Sequence, residues 1–153
     1  MTIWYRAAQS SNIPTVFSGD GGLYTTARWN HLGRKVIYCS QSISLCTLEW
    51  LSHNGLSVSG FSYYRYSIDV PDELIQRFTL TTLPKGWNIT PATDISRDFA
   101  ERHLFLAEKF LAIAVPSVLV PEEFNLVINP LHRDFSNIVK TVKNFGQHQA
   151  PTR

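Results

Sequence analysis

The sequence predicts an α+β domain, with a mixed, largely antiparallel sheet and helices packed on it. Two observations support this class: short strand-like segments outnumber helical ones, and few of them alternate as β-α-β units. A length of 153 residues suits one domain with a single core. We therefore expect one domain over residues 1–153, with a core from about 4 to 142 and a loose tail at 146–153.

The chain opens with a strand and a turn-rich segment. "MTIWYRAA" has the apolar and aromatic content of a strand. "QSSNIPTVFSGDGG" is rich in Ser, Gly and Asp, which favour turns. The short apolar "KVIYCS" predicts the next strand.

The first main helix is predicted over "SISLCTLEWLSH". Ser42 is a suitable N-cap, and Asn54 with Gly55 ends the helical pattern. Its apolar residues are distributed nearly all round the helix axis, which predicts that the helix is well buried.

The middle of the chain continues with a strand and two helices. "YYRYSIDVP" alternates between two faces, as a half-buried strand does. "PDELIQRF" begins with Pro and acidic residues, which are typical of a helix first turn. "TDISRDFAERHLFLAEKF" predicts a second main helix.

The C-terminal part predicts further strands. "LAIAVPSV" has the composition of a buried strand. "PEEF" is predicted to form a short helical turn, and "NLVINP" is predicted to form another strand. "IVKTVKNF" is the candidate for a last strand, after which the tail follows.

Charge and cysteine content narrow the functional classes. The net charge of +2 gives no strong electrostatic case for direct nucleic-acid or membrane binding. The N-terminus lacks the pattern of a secretory signal, and a cytoplasmic location is the simplest expectation. A disulfide between Cys39 and Cys46 is disfavoured, since one ends a strand and the other lies in a helix. The histidine spacing matches no metal motif, so we expect no metal site.

Glu49 lies between Leu48 and Trp50 in the predicted apolar helix. At helical spacing it shares a narrow sector with Ser42 and His53. One interpretation is a structural pair with His53 or a basic residue, or a solvated charge. The other is a carboxylate lining a pocket, where it binds a sugar hydroxyl or stabilises a developing cation.

Arg28 and Ser117 have similar alternatives. Arg28 follows a Gly-rich loop and is either a solvated surface group or a bidentate phosphate ligand. Ser117 ends a predicted buried strand, where its hydroxyl is more often satisfied by backbone groups than catalytic. No G-x-S-x-G sequence surrounds Ser117, which argues against a hydrolase nucleophile.

Together, three segments resemble a known family. They are "FSGDGGLYTTARWNHLGRKVIYCSQSISLCTLEWLSH", "YSIDVPDEL" and "LAIAVPSVLVPEEFNLVINPLHRDF". In this order they resemble the RES-domain toxins of bacterial RES–Xre toxin–antitoxin pairs, and the similarity extends from about residue 4 to 135. The family is named for an Arg, a Glu and a Ser, which match Arg28 in "RWN", Glu49 in "TLEWL" and Ser117 in "VPS".

The resemblance implies a fold like that of ADP-ribosyltransferase toxins and cleavage of the nicotinamide–ribose bond of NAD⁺, with water or phosphate as acceptor. NAD⁺ is then a substrate, and no cofactor is expected. The resemblance also implies an Xre-type antitoxin that blocks the pocket, and it is compatible with a homodimer within that complex. Two alternatives stay open: transfer of ADP-ribose to a macromolecule, and a non-catalytic partner-binding module.

The resemblance suggests a role for each site residue. Glu49 would stabilise the ribose cation, Arg28 would bind the pyrophosphate, and Ser117 would orient Glu49 or bind the ligand. Tyr38 would stack on or orient nicotinamide, although a structural role for it is an equal alternative. Arg6 is a second candidate phosphate ligand.

Overall fold

A seven-stranded sheet forms the centre of the computed structural model, which describes residues 2–55 and 60–150. Its strands are β1 (Thr2–Ala8), β2 (Ile37–Ser40), β3 (Ser62–Val70), β4 (Ile75–Arg77), β5 (Ala112–Pro116), β6 (Phe124–Ile128) and β7 (Lys143–Gln149). Their order is β4-β5-β6-β2-β1-β3-β7. Among the described residues only β4 and β5 pair in parallel, so the predicted α+β class with a mixed, largely antiparallel sheet is confirmed.

Short helices surround this sheet. They are α1 (Ile13–Val16), α2 (Gly21–Tyr24), α3 (Ile43–Asn54), α4 (Asp94–Ala100) and α5 (Phe135–Ile138). A π-helical turn, Glu101–Phe105, continues α4, and 3₁₀ turns cover Asp72–Leu74 and Val139–Thr141. The segment predicted to consist of turns between β1 and β2 contains α1 and α2. No helix within the described residues has the length and apolar content needed to span a bilayer.

Helix α3 has the predicted ends but not the predicted burial. The Ser42 hydroxyl accepts a hydrogen bond from the Leu45 amide at 3.0 Å, and Gly55 ends the helix at φ 61°. Ile43 and Leu48, however, are 37% and 44% exposed. The prediction of a well-buried helix is therefore wrong, because α3 packs on β1 and β2 with one side only.

The sheet separates two apolar clusters, and β5 contributes to both. Ala112 and Ala114 face the cluster that contains Trp4, whereas Ile113 and Val115 face the cluster that contains Trp29. Because β5 is covered on both faces, every one of its residues is buried, as the continuous apolar run predicts.

Two predicted helical segments are wrong. In "PDELIQRF" only the turn Asp72–Leu74 is helical, and β4 follows, paired in parallel with β5. "PEEF" forms a turn whose last residue, Phe124, begins β6. In both cases pairing with a neighbouring strand overrides the local helical preference.

The loose tail predicted at 146–153 is wrong for residues 146–150. Strand β7 extends to Gln149 and pairs with β3, so the predicted last strand is displaced toward the C-terminus. Ala150 is 2% exposed, and its amide donates to the Phe61 carbonyl at 2.9 Å. Residues 151–153 lie outside the described part of the chain.

Candidate active site

A cavity of about 540 Å³ opens between β1, β2, α3 and the segment that carries α1 and α2. This volume is within the range of small-molecule sites. Of the predicted site residues, Arg6, Arg28, Tyr38 and Glu49 line the cavity, and Ser117 does not. Cys39 and Cys46 are free, buried thiols, as expected.

Glu49 is held by two donors, one on β6 and one that directly follows β5. Its Oε1 accepts hydrogen bonds from the Ser117 hydroxyl at 2.8 Å and from the Asn125 amide at 2.7 Å. His53 also lines the cavity, but no hydrogen bond or ion pair to Glu49 is found for it within the described residues. The side chain is thus fixed at the cavity wall, in agreement with the pocket interpretation and not with a His53 pair.

Ser117 lies behind Glu49 and is fully buried. Its hydroxyl donates to Glu49 and accepts from the backbone amides of Leu119 and Val120, both at 3.1 Å. Backbone amides thus satisfy the hydroxyl, which also hydrogen-bonds Glu49, while its role in a reaction stays a prediction. Ser117 does not line the cavity itself and contacts Glu49 from behind.

Arg28 is fixed by the loop before α4. Its Nη1 donates to the carbonyls of Trp87 and Ile89, both at 2.9 Å, and its Nη2 lies 3.4 Å from the Thr90 hydroxyl. The Ser96 hydroxyl of α4 donates to the Arg28 carbonyl at 2.6 Å. Burial lowers the pKa of the Arg28 guanidinium, and the Glu49 carboxylate opposes that shift. The two predicted residues thus line one cavity.

Tyr38 and Arg6 are tied to the protein around them. The Tyr38 hydroxyl donates to Asn30 Oδ1 at 2.6 Å. Arg6 donates from Nε to the Val16 carbonyl and from Nη1 to the Tyr38 carbonyl, both at 3.0 Å. Burial raises the pKa of Tyr38 and lowers that of Arg6. Both residues therefore help to build the wall, and their ligand contacts stay predictions.

Two residues of the site had no role assigned from the sequence. Asn125 binds Glu49, and Ser40 in turn donates to Asn125 Oδ1 at 2.7 Å. Asn125 opens the "NLVINP" stretch that forms part of the family resemblance, which is the signal that could have identified it. Ser40 also lies within the first segment of the resemblance, but in none of its three named motifs, "RWN", "TLEWL" and "VPS".

Comparison with known proteins shows the family to which the chain belongs. A family model described as RES domain matches residues 3–150. The chain belongs to the RES-domain family. "Toxin Res" of Photorhabdus laumondii is 32% identical over 146 residues, which cover 94% of this chain and 93% of the relative. "Prs ADP-ribosylating toxin" of a Sphingobium species is 38% identical over 126 residues, with 79% and 76% coverage.

A solved structure of a more distant protein contains a chain with the same fold as this one. A chain from the crystal structure of the Mycobacterium tuberculosis MbcT–MbcA toxin–antitoxin complex superposes with a TM-score of 0.71. The match covers 99% of this chain and 85% of that one. At 16% identity, the likeness concerns the fold alone.

Proposed function

We propose that this RES-domain protein is a toxin enzyme that cleaves the nicotinamide–ribose bond of NAD⁺, with water or phosphate as acceptor. The observation that carries the proposal is the anchored Glu49 carboxylate, which shares one cavity with the Arg28 guanidinium. The relatives named as toxins support the toxin assignment. The protein would act in the cytoplasm.

The charge of Glu49 suits the chemistry of this bond. When nicotinamide leaves, positive charge develops on the ribose, as in glycoside hydrolysis. The leaving group departs as a neutral molecule, so the site requires little acid catalysis. A carboxylate fixed beside the ribose stabilises the cation without reorganising during the reaction.

The hydrogen bonds of Arg28 leave one edge of the guanidinium for a phosphate. Both Nη1 hydrogens point to the carbonyls of Trp87 and Ile89, and one Nη2 hydrogen points to Thr90. Nε forms no hydrogen bond within the described ranges 2–55 and 60–150. Nε–H and the second Nη2–H form a planar fork that matches two phosphate oxygens. Arg28 would therefore bind the pyrophosphate from a position that the loop has already fixed.

Tyr38 would serve the nicotinamide end of the substrate as a neutral phenol. A tyrosine hydroxyl is protonated at neutral pH, burial raises the pKa of Tyr38 further, and the hydrogen bond to Asn30 fixes the ring. Arg6 would add positive charge near the phosphates, although its Nε and Nη1 are occupied by backbone carbonyls. We assign no bound cofactor or metal to this reaction, in which NAD⁺ is the substrate.

A second candidate is transfer of ADP-ribose to a macromolecule. It is favoured by the relative named as an ADP-ribosylating toxin, which is 38% identical to this chain. The same Glu49 and Arg28 would serve both reactions, because they differ only in the acceptor.

The partner would be an antitoxin, of the Xre type by the family resemblance. A structural neighbour from a toxin–antitoxin complex supports a partner of this class. Occupation of the cavity mouth would exclude NAD⁺ and silence the enzyme.

The test is product analysis with purified protein and NAD⁺ labelled in the ADP-ribose part, with and without phosphate. Free ADP-ribose or its phosphorylated form supports NAD⁺ cleavage. In lysate, label on macromolecules supports the second candidate.

Glu49→Gln keeps the shape and removes the charge, so turnover should fall on the order of 10²–10³-fold. Glu73→Gln changes an exposed carboxylate outside the cavity and should leave turnover unchanged. A Glu49→Gln protein that is folded and as active as wild type would refute the role of Glu49.

A further inference from the structure

We infer that Asn125 and Ser40 form a positioning pair that determines which oxygen of Glu49 meets the substrate; this rests on the proposed function. The two donors to Glu49, Ser117 and Asn125, bind the same oxygen, Oε1. No hydrogen bond to Oε2 is found within residues 2–55 and 60–150. Oε1 thus anchors the carboxylate, and Oε2 is left for a ribose hydroxyl or the developing cation.

The orientation of the Asn125 amide follows from the chemistry of its neighbours. An ionised carboxylate only accepts hydrogen bonds, so the Asn125 NH₂ group must face Glu49. The amide oxygen then faces Ser40, whose hydroxyl must donate, and the Oγ–Oδ1 distance is 2.7 Å. Ser40 is 3% exposed, so water does not compete freely for this hydrogen bond.

The sheet register fixes the pair before any ligand binds. Ser40 on β2 lies directly opposite Asn125 on β6 in the antiparallel ladder. Val115 on β5 lies opposite Asn125 on its other side, and Ser117 follows at the end of that strand. The donors to Glu49 thus come from two adjacent strands, whose relative position is set by backbone hydrogen bonds.

The inference predicts an effect on turnover and not on substrate binding. Asn125→Ala removes one charge-assisted hydrogen bond to Glu49 and should lower kcat on the order of 10-fold, with KM close to that of wild type. Asn125→Asp keeps the shape but replaces the donor with an anion facing Glu49, so its loss should be larger. Ser40→Ala should give a smaller loss. Asn137→Ala, an exposed asparagine on α5, is the control and should match wild type.

A double-mutant cycle distinguishes action through Glu49 from direct contact with NAD⁺. In the Glu49→Gln background, Asn125→Ala should cause little further loss of kcat, because the charge that it orients is gone. Equal losses in both backgrounds, or a raised KM with unchanged kcat, would overturn the inference. If wild type does not cleave NAD⁺, the proposed function fails separately. The crystal structure of Asn125→Ala then decides the positioning role, which is refuted if Glu49 keeps its wild-type conformation.

Discussion

Replacing Arg28 with Lys separates its two roles, because Lys keeps the charge and loses the planar fork. The guanidinium makes three hydrogen bonds to the loop Trp87–Thr90 and would use a further edge for phosphate. An ammonium group can replace one or two of the loop contacts. Since Arg28 is only partly buried, we expect a loss of folding free energy of about 1–2 kcal/mol. This corresponds to a fall in Tm of roughly 2–8 °C for a chain of this size.

The loss in affinity is expected to be separate from the loss in stability. Replacing the fork by a single donor removes about one charge-assisted hydrogen bond, worth about 1.5 kcal/mol, or roughly tenfold in Kd. Calorimetric titration with NAD⁺ measures it, and the Glu49→Gln background keeps the ligand from being consumed. Arg133→Lys, at an exposed position, is the matched control. If Tm falls while the Kd for NAD⁺ stays at the Glu49→Gln value, Arg28 only supports the loop and the phosphate assignment is refuted.

Two further predictions concern stability. Gly22→Ala would place Cβ 1.9 Å from the Arg34 carbonyl oxygen, whereas a Cβ at Gly21 would meet no atom within 4 Å. Urea unfolding should therefore show a loss of about 3 kcal/mol in folding free energy for Gly22→Ala and little loss for Gly21→Ala. Equal unfolding midpoints for the two variants would contradict the close packing at Gly22. Burial raises the pKa of Cys39 to about 12 and of Cys46 to about 11 from 9.0. The unfolded thiols ionise first as the pH rises, so stability should fall from about pH 9, by about 1 kcal/mol per thiol at pH 10. Cys46→Ala should reduce that alkaline slope, and an unchanged slope would argue against a buried, neutral thiol.

Local signals predicted the elements whose ends are determined by their own residues. Helix α3 is capped by Ser42 at its start and by Gly55 at its end. The Ser42 hydroxyl binds a backbone amide of the first turn, and Gly55 adopts the positive φ that ends the last turn, so both signals are local. The same pattern could not predict which face of α3 is covered. The exposure of Ile43 and Leu48 depends on where β1 and β2 lie.

The elements that were missed or displaced depend on distant partners. "IQR" is a strand because β5 lies beside it, and β7 is polar, exposed and interrupted by Gly146 at φ 103°. Neither segment has a periodic pattern that identifies it locally. Pairing with distant strands determines both segments, and a short stretch of sequence holds no information about those partners.

The sequence singled out the charged residues of the candidate site and Ser117, but not Asn125 and Ser40. Arg28 and Glu49 were identified by residue type and family resemblance, and they line one cavity. Ser40 and Asn125 are common polar residues on strands, and only the register of β2 and β6 shows that they lie opposite each other. Ser117 was identified, but its place behind Glu49 could be seen only in the structure.

The contact between Ala150, which follows β7, and the side of α3 that carries Trp50 and Leu51 has a consequence for synthesis on the ribosome. Ala150 and Tyr63 form a small apolar cluster with Trp50 and Leu51, and Trp50 stacks on Tyr63 at 4.5 Å. The helix that carries Glu49 therefore obtains its full support only when residues far downstream have emerged. A nascent chain that ends before Ala150 lacks this contact, so the cavity wall that carries Glu49 is complete only after residue 150 has left the ribosome.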